Sequence, residues 1–336
     1  MFKKLSIIVA SLFFAASAYA QNPITGAGAT FPFPLYSKWA ADYNAATKNI
    51  INYQSVGSGA GIRQIQSRTV VFGATDMPLR EAELTKSDLA QWPQTIGAIV
   101  VVINVDNIRS NQLVLDGPTL ADIYLGKIRT WNAPAIQKLN PELKLPNTNI
   151  TVVRRSDGSG TTFVFTNYLS KISADWKSKV GEGTAIEWPV GVGARGNEGV
   201  AGNVAQTKNS IGYVEYAYAK QNNLVYTRLI NAAGKTVTAG VKSFGAAAEK
   251  ADWTGTPGFA VILTDQPGDD SWPITAASFI LMPYNPKDRN TSKAALEFFE
   301  WSFANGKKAS EDLDFIPIPD NVVELIKSNV WSKIQH

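Results

Sequence analysis

The chain has 336 residues, no cysteine, one histidine and a formal net charge of +4 at pH 7. The lack of cysteine excludes disulfides, thiolate metal sites and a cysteine nucleophile. Because 32 basic residues nearly balance 28 acidic ones without forming a basic run, the charge argues against nucleic-acid binding. At about 100–200 residues per domain, the length predicts two lobes.

The first twenty residues have the three regions of a secretory signal peptide. Lys3 and Lys4 form a short basic region, residues 5–18 are apolar, and Ala18 and Ala20 are the small residues that a signal peptidase reads. The apolar run is shorter than the roughly 20 residues of a membrane-spanning helix. We therefore expect cleavage after Ala20, a periplasmic location and no direct membrane insertion of the mature protein.

Short β-branched runs alternate with amphipathic stretches, which indicates an α/β protein with parallel sheets flanked by helices. The predicted strands are residues 49–54, 70–74, 96–104, 150–154, 211–214 and 274–281. The predicted helices are residues 34–46, 62–67, 119–125, 161–169, 291–305 and 321–331. In the first helix, Leu35, Trp39 and Tyr43 recur every fourth residue, as a core-facing stripe requires.

The absence of a low-complexity linker suggests that structured strands cross between the two lobes. The long apolar strand at 96–104 and the later strand at 274–281 are the candidates. The resulting division is a signal peptide (1–20), a discontinuous lobe I (21–98 and 275–336) and a lobe II (99–274).

Three glycine-rich turns run directly into predicted helices. They are GAGATF at 26–31, GSGAG at 57–61 and DGSGTT at 157–162. A helix start offers unpaired N–H groups and the positive end of the helix dipole, so it suits an anion. Each turn alone could be a structural cap, and none matches a P-loop or a dinucleotide fingerprint. Three such turns in one chain favour an anion site.

An arginine pair precedes the third turn. Arg154 and Arg155 could be a solvated pair at a strand end, but side chains alternate along a strand, so one can face a cleft while the other faces away. The planar guanidinium suits a tetrahedral oxyanion because it donates two parallel hydrogen bonds. Asp157, two residues after Arg155, could hold that group in place.

A carboxylate, Asp76, follows the strand at 70–74. On spacing alone it is an ordinary turn aspartate. In an anion site, however, a carboxylate is useful only when the ligand carries a proton. Hydrogen phosphate can donate that proton, whereas sulfate leaves two acceptors facing each other, and a buried unpaired acceptor costs about 1–3 kcal/mol. Asp76 would then select phosphate by repelling sulfate.

At these motifs the chain resembles the periplasmic phosphate-binding proteins of the bacterial phosphate ABC transporter, the PstS family. The matching segments are TGAGATFP at 25–32, VGSGAG at 56–61, FGATD at 72–76, LVLDGPTLADIYLGKI at 113–128, VVRRSDGSGT at 152–161, IGYVEYAYAKQNNL at 211–224 and WPIT at 272–275. The resemblance extends over nearly the whole mature chain. It implies a type II periplasmic-binding-protein fold, with two lobes of mixed, mostly parallel sheets and a two-strand hinge.

The resemblance also implies the phosphate ligands. They are Thr30, Phe31, Ser58, Asp76, Arg155, Ser159, Gly160 and Thr161, with Asp157 in support. Two positions depart from the family pattern, since Val71 stands where many relatives carry an acid and Ala60 interrupts the usual Ser/Gly run. Neither position is a liganding one, so they affect local polarity rather than function.

An enzyme is the rival class. Ser159 could suggest a nucleophile, but the one histidine, His336, is the last residue printed, so a Ser-His pair or a histidine metal centre is implausible. A phosphatase built only from carboxylates would need paired acids near the turns, and Asp312 and Asp314 are expected to face solvent. We therefore expect no enzymatic activity, no cofactor and no metal.

Two other binding functions remain open. A sulfate or other oxyanion receptor is opposed by Asp76, whereas an adhesin or sensor that merely shares the fold is not excluded by sequence. Within the resemblance, we expect a monomer that binds inorganic phosphate with high affinity, closes about its hinge and delivers the anion to membrane-embedded permease subunits of the transporter.

Overall fold

The computed structural model describes residues 23–249 and 251–336, so the predicted cleavage site after Ala20 lies outside the described residues. The strands in that part of the chain are β1 (Ile24–Gly28), β2 (Ile51–Ser55), β3 (Phe72–Thr75), β4 (Leu89–Asn104), β5 (Val114–Leu115), β6 (Thr151–Arg155), β7 (Val192–Ala194), β8 (Ser210–Glu215), β9 (Val225–Tyr226), β10 (Arg228–Ile230), β11 (Thr236–Val237) and β12 (Thr275–Pro283). Every predicted strand has a counterpart among them.

The helices are α1 (Phe33–Thr47), α2 (Ser58–Gln66), α3 (Glu81–Ser87), α4 (Gly117–Tyr124), α5 (Pro134–Leu139), α6 (Gly160–Ile172), α7 (Ala174–Lys179), α8 (Gly196–Gln206), α9 (Tyr216–Gln221), α10 (Val241–Ala248), α11 (Arg289–Asn305), α12 (Lys307–Asp312) and α13 (Asp320–Asn329). Short 3₁₀ helices cover Pro257–Phe259 and Trp331–Lys333. Each predicted helix is present. Among residues 23–249 and 251–336, no helix has both the length and the apolar character needed to span a membrane.

The main sheet is mixed and has the strand order β2-β1-β3-β12-β4-β8-β6-β7, with β9 also paired to β4. β1 runs parallel to β2 and β3, and β6 runs parallel to β7 and β8. The central strands β4 and β12 are antiparallel to their neighbours. Helices connect the parallel strands, because a parallel neighbour can be reached only by a crossover. The predicted α/β class is confirmed.

Strand β4 joins two halves of this sheet. Its residues 89–98 pair with β12, and its residues 99–104 pair with β8. The change of partner falls between Ala98 and Ile99, where the Ile99 N–H donates to the Ile274 carbonyl at 2.8 Å. We call the strands on the β12 side the first half of the sheet and those on the β8 side the second half. β4 therefore passes through this junction, and β12 begins beside it.

β4 begins at Leu89, well before the predicted start at residue 96. The added residues include AQWPQT, which contains two glutamines and a proline. In the structure, Gln94 donates to Ser302 Oγ at 2.9 Å, and Gln91 accepts from the Leu79 N–H at 2.8 Å. Buried amides are stable when they are hydrogen-bonded, so partners distant in sequence permit the longer strand.

The core-facing stripe predicted for the first helix is confirmed. Leu35, Trp39 and Tyr43 are all buried in α1. The indole of Trp39 donates to the Gly306 carbonyl at 3.0 Å, and Tyr43 packs edge-on against Phe298 with ring centroids 5.3 Å apart. This packing holds α1 against α11 and the residue that follows it.

The second helix begins earlier than predicted. The glycine-rich residues were expected to precede it, but Ser58 is already the first residue of α2. Gly61 permits the first turn of α2 to pack closely against β1, since a Cβ on residue 61 would lie 2.5 Å from Gly28 Cα. β1, which was not predicted, is short and glycine-rich, and its sequence ITGAG gives no apolar alternation.

Candidate functional site

The three glycine-rich turns meet at the junction of the two halves of the sheet. The Gly59 N–H donates to the Gly158 carbonyl at 2.9 Å, which joins the second turn to the third. Arg155 Nη1 lies 3.3 Å from Thr30 Oγ1, which joins the third turn to the first. The residues implied by the resemblance therefore surround one buried region.

Each turn leads into a helix that begins beside that region. Thr30 and Phe31 immediately precede α1, Ser58 opens α2, and Ser159 caps α6 by accepting from the Thr162 N–H at 2.9 Å. An α-helix leaves the N–H groups of its first turn without intrahelical acceptors, and these groups carry the positive end of the dipole. The site thus collects three helix starts.

Glycine is required where the turns touch. Gly57 has φ +93°, and a Cβ there would lie 2.5 Å from Asp157 Oδ2. Gly160 opens α6, and its Cβ would lie 2.4 Å from Ser58 Oγ and 2.5 Å from Asp76 Oδ2. The absence of a side chain at these positions lets the two halves of the sheet approach each other.

Arg155 is fixed by Asp157. Its Nε donates to Asp157 Oδ1 at 2.7 Å and its Nη2 donates to Asp157 Oδ2, while its side chain is 1% exposed. Burial raises the pKa of Asp157, but the hydrogen bonds and the charge of Arg155 outweigh burial, so the pKa lies below its ordinary value. Nη1 is left to face the threonines Thr30 and Thr161, each at 3.3 Å. The guanidinium orientation is therefore set before any ligand arrives.

The neighbouring Arg154 has a different environment. It is half-buried, its Nη1 donates to the Arg155 carbonyl at 3.3 Å, and it lies beside Gly193. Adjacent side chains on β6 thus separate, as strand alternation requires.

Asp76 offers an unpaired acceptor to the site. It is 2% exposed, and its Oδ1 accepts from Ser278 Oγ at 2.8 Å. Its Oδ2 is buried and has no hydrogen-bond partner among the described residues. Burial raises the pKa of Asp76 to about 7, although the Ser278 hydrogen bond and the Arg155 charge act in the opposite direction. Such a carboxylate suits a ligand that brings a proton.

Charge alone does not explain an anion site here. The guanidinium of Arg155 is paired with Asp157 and lies near Asp76, so the charged side chains do not sum to a positive field. Stabilisation of an anion has to come from N–H and O–H dipoles directed at it. Preorganised dipoles of this kind are effective where water is excluded.

Two residues of the site were not predicted. Asn197, fully buried near the start of α8, donates from Nδ2 to Thr30 Oγ1 at 2.7 Å. Ser278 orients Asp76 from β12. The available signals were weak: Asn197 stands in GNEG, another glycine-led helix start, and Ser278 interrupts an apolar strand.

The enzyme-like features are explained structurally. The Ser159 hydroxyl is a helix cap, and His336 Nδ1 bonds the carbonyl of nearby Ile334 at 2.8 Å. Asp312 is exposed as expected, but the expectation for Asp314 was wrong. Asp314 is 19% exposed because it pairs with Lys220 at 2.6 Å across the two halves of the sheet. Residues 23–249 and 251–336 hold no cluster of three or more metal-ligating side chains.

The chain is similar to known phosphate-binding proteins. A family model described as a PBP superfamily domain matches residues 15–305. The phosphate-binding protein PstS of Xylella fastidiosa (strain Temecula1) is 56% identical over 305 residues, which cover 91% of this chain and 84% of the relative.

Solved structures share the fold. A high-affinity periplasmic phosphate-binding protein, PfluDING, bound with phosphate, aligns with a TM-score of 0.71 and 20% identity over 91% of this chain and 93% of its own. An ABC-type phosphate transport receptor from Vibrio cholerae aligns with a TM-score of 0.55 and 18% identity over 88% and 100% of the two chains.

Proposed function

Since the chain belongs to the PstS family of phosphate-binding proteins, we propose that it binds inorganic phosphate with high affinity in the periplasm and delivers it to the permease of a phosphate ABC transporter. The role is solute binding and not enzymatic, and it requires no cofactor. The observation that carries the proposal is the meeting of three helix starts near Asp76 Oδ2, which has no hydrogen-bond partner within residues 23–249 and 251–336.

The proposed ligand set spans both halves of the sheet. From the first half, Thr30, Phe31 and Ser58 donate to the anion through hydroxyl or backbone groups, and Asp76 accepts the proton of the ligand. From the second half the donors are Arg155, Ser159, Gly160 and Thr161, with Asp157 holding the guanidinium. The contacts between Thr30 and Arg155 and between Gly59 and Gly158 support this assignment because they bring the two groups together.

Selectivity follows from Asp76. Hydrogen phosphate carries a proton that it can donate to Oδ2, while fully ionised sulfate carries none. A sulfate ion would place its oxygens against a buried carboxylate, and an unpaired buried acceptor costs about 1–3 kcal/mol, with more for charged groups. Ser278 supports the geometry because it occupies Oδ1 and leaves Oδ2 as the acceptor facing the site.

Ligand capture would use a hinge between two lobes. We propose lobe I from residues 21–98 and 275–336 and lobe II from residues 99–274. The change of partner along β4 between Ala98 and Ile99 supports the first boundary. Phosphate stabilises the closed arrangement because only there are the donors of both lobes engaged. One segment of lobe II reaches back to lobe I, since Gln91 Nε2 donates to the Gly258 carbonyl at 2.8 Å.

The location of the protein and its oligomeric state can be tested on the exported protein. We propose cleavage after Ala20 and a monomeric mature protein that docks on membrane-embedded permease subunits without entering the membrane itself. N-terminal sequencing of the exported protein should begin at Gln21, and sedimentation should give the mass of one chain. A different N-terminus or a stable dimer would contradict these two points.

The decisive experiment is calorimetric titration of phosphate-stripped protein with phosphate and with sulfate. We expect one phosphate to bind tightly per chain and sulfate to give no heat. In Asp76→Asn the amide can donate to either anion, so selectivity against sulfate should fall by about 5- to 150-fold, as loss of a 1–3 kcal/mol penalty implies.

Asp312→Asn is the matched control, because it makes the same charge change on an exposed residue. It should leave both titrations unchanged. Failure of the wild type to bind phosphate would overturn the proposed function. If Asp76→Asn rejected sulfate as strongly as the wild type, the selectivity mechanism alone would be wrong.

A further inference from the structure

A buried asparagine outside the proposed ligand set joins the two threonines of the site. Asn197 is fully buried, and its Nδ2 donates to Thr30 Oγ1 at 2.7 Å and to Thr161 Oγ1 at 3.0 Å. These threonines stand before α1 and near the start of α6, far apart in sequence and in different proposed lobes. One amide nitrogen therefore bridges the two proposed lobes.

The orientation of this amide is fixed by a backbone group. The Glu215 N–H donates to Asn197 Oδ1 at 2.9 Å. Because a backbone N–H can only donate, the atom that faces it has to be the carbonyl oxygen of the side chain. The NH₂ group of Asn197 therefore faces the threonines, and both of its hydrogens are used.

The threonine hydroxyls are consequently left as donors. A hydroxyl oxygen has two acceptor sites and one hydrogen. Thr161 Oγ1 accepts from Asn197 Nδ2 and from Arg155 Nη1, which fills both of its acceptor sites. Three donors share the two acceptor sites of Thr30 Oγ1: Asn197 Nδ2, Arg155 Nη1 and the Asn197 backbone N–H at 3.2 Å. With the acceptor sites filled, each hydrogen points away from Asn197 and Arg155. Neither hydroxyl donates to an acceptor within the described chain.

We propose that Asn197 is a positioning residue that makes the hydroxyls of Thr30 and Thr161 permanent hydrogen-bond donors to the bound anion. The inference rests on the proposed function, since it concerns how the same phosphate is held. Asn197 does not touch the anion and acts through the two threonines. It also ties donor orientation to closure, because its bond to Thr30 exists only when the two lobes meet.

The test is the isosteric variant Asn197→Asp. It keeps the shape of the side chain and the acceptor for the Glu215 N–H, but it replaces the donor with an acceptor. Both threonine hydroxyls then turn their hydrogens toward residue 197 and away from phosphate. Calorimetry at pH 8 should show the phosphate Kd rising by at least about 100-fold, the loss expected for two hydrogen bonds to a charged ligand.

Asn203→Asp is the matched control, because Asn203 lies on the same helix, is exposed and undergoes the same charge change. Its phosphate Kd should stay within about threefold of the wild type. If Asn197→Asp also stayed within threefold, the inference would be overturned. Failure of the wild type to bind phosphate would instead overturn the proposed function.

A double-mutant cycle separates positioning from simple packing and does not depend on the folding of Asn197→Asp. Asn197→Ala should weaken phosphate binding about tenfold or more in the wild-type background but only slightly in Thr30→Val/Thr161→Val, because the hydroxyls through which it acts are gone. An equal loss in both backgrounds would show that Asn197 is only a packing residue. The melting temperature of each phosphate-free variant measures any loss of stability separately.

Discussion

At the scale of single residues, Arg155 is the strongest determinant of the site. Its side chain is buried, and both outer nitrogens have defined partners in Asp157 and the two threonines. Four of the five guanidinium N–H groups donate to these partners, and the second N–H of Nη2 remains to donate to a tetrahedral anion. Because the group is already held in place, this bond forms with little loss of conformational entropy. The ion pair that positions Arg155 joins it to Asp157, two residues further on, so the sequence alone could suggest the pair.

Arg155→Ala should weaken the binding of phosphate by about 2–5 kcal/mol, the usual cost of truncating one member of a buried hydrogen-bonded charge pair. The loss should be broad, since a guanidinium does not distinguish among tetrahedral oxyanions. Titration with phosphate and with arsenate measures it. Arg154→Ala is the control, because the neighbouring arginine faces away from the threonines. Equal losses in the two variants would refute the assignment.

At the scale of secondary-structure elements, the site depends on how closely α6 approaches the first half of the sheet. Gly160, the first residue of α6, lies against Ser58 and Asp76 of that half. The helix start can come this near only because the residue has no Cβ. Gly160 therefore begins α6, allows the contact with Ser58 and Asp76, and leaves its own N–H accessible to the ligand.

Gly160→Ala should keep α6, because alanine is the better helix former, but should prevent close approach of the two lobes. The added Cβ would lie 2.4 Å from Ser58 Oγ and 2.5 Å from Asp76 Oδ2. We expect phosphate affinity to fall by at least about tenfold, an effect of more than ~1.4 kcal/mol.

Gly202→Ala is the matched control for Gly160→Ala. Gly202 lies inside α8, and a Cβ there would meet nothing within 4 Å. The substitution should stabilise the protein by about 0.5–1 kcal/mol and leave phosphate affinity unchanged. Unaltered phosphate binding in Gly160→Ala would show that the approach of α6 is not limiting.

At the scale of the whole molecule, the junction of the two halves buries a carboxyl group that has no role in the proposed ligand set. Glu215 ends β8 opposite Ile99, where β4 changes partner, and it is fully buried. Its Oε2 accepts from the Ala217 N–H at 2.8 Å, and Oε1 has no partner among the described residues. Burial raises the pKa of Glu215 well above its ordinary value, and the charges of Asp314 and Asp76 act in the same direction.

This raised pKa predicts how stability depends on pH. Below the unfolded-state pKa of about 4.3, Glu215 is protonated in both the folded and the unfolded protein, so its titration does not change the stability. As the pH rises toward the folded-state pKa, the unfolded chain loses the proton first, so stability falls. Glu215→Gln removes that loss, and the variant should gain melting temperature relative to the wild type as the pH increases from 4 to 9.

Thermal unfolding of phosphate-free protein across this range tests the prediction. Glu297→Gln is the control, because it neutralises an exposed acid on α11. Its melting temperature should follow the wild type at every pH. A gain in Glu215→Gln that did not grow with pH would contradict a raised pKa for Glu215 in the folded protein.

The sequence by itself predicted the α/β class and the glycine-rich turns that lead into helices, and the resemblance of its motifs to a family implied the proposed ligand set. These features depend on local chemistry: glycine-rich turns, the adjacent Arg155 and Asp157, and the stripe of α1 are each contained in a few consecutive residues. Periodicity and helix-capping chemistry act over the same short range, so a sequence displays them directly.

Only the tertiary structure decided which distant residues complete the site and the buried start of β4. Asn197 reaches Thr30 across 167 positions, Ser278 reaches Asp76 across 202, and Gln94 reaches Ser302 across 208. Each is a polar side chain whose burial is stable only because a partner elsewhere in the chain satisfies it. No local pattern encodes such a pair, since the partner is brought into reach only when β4 and β12 align the two halves of the sheet.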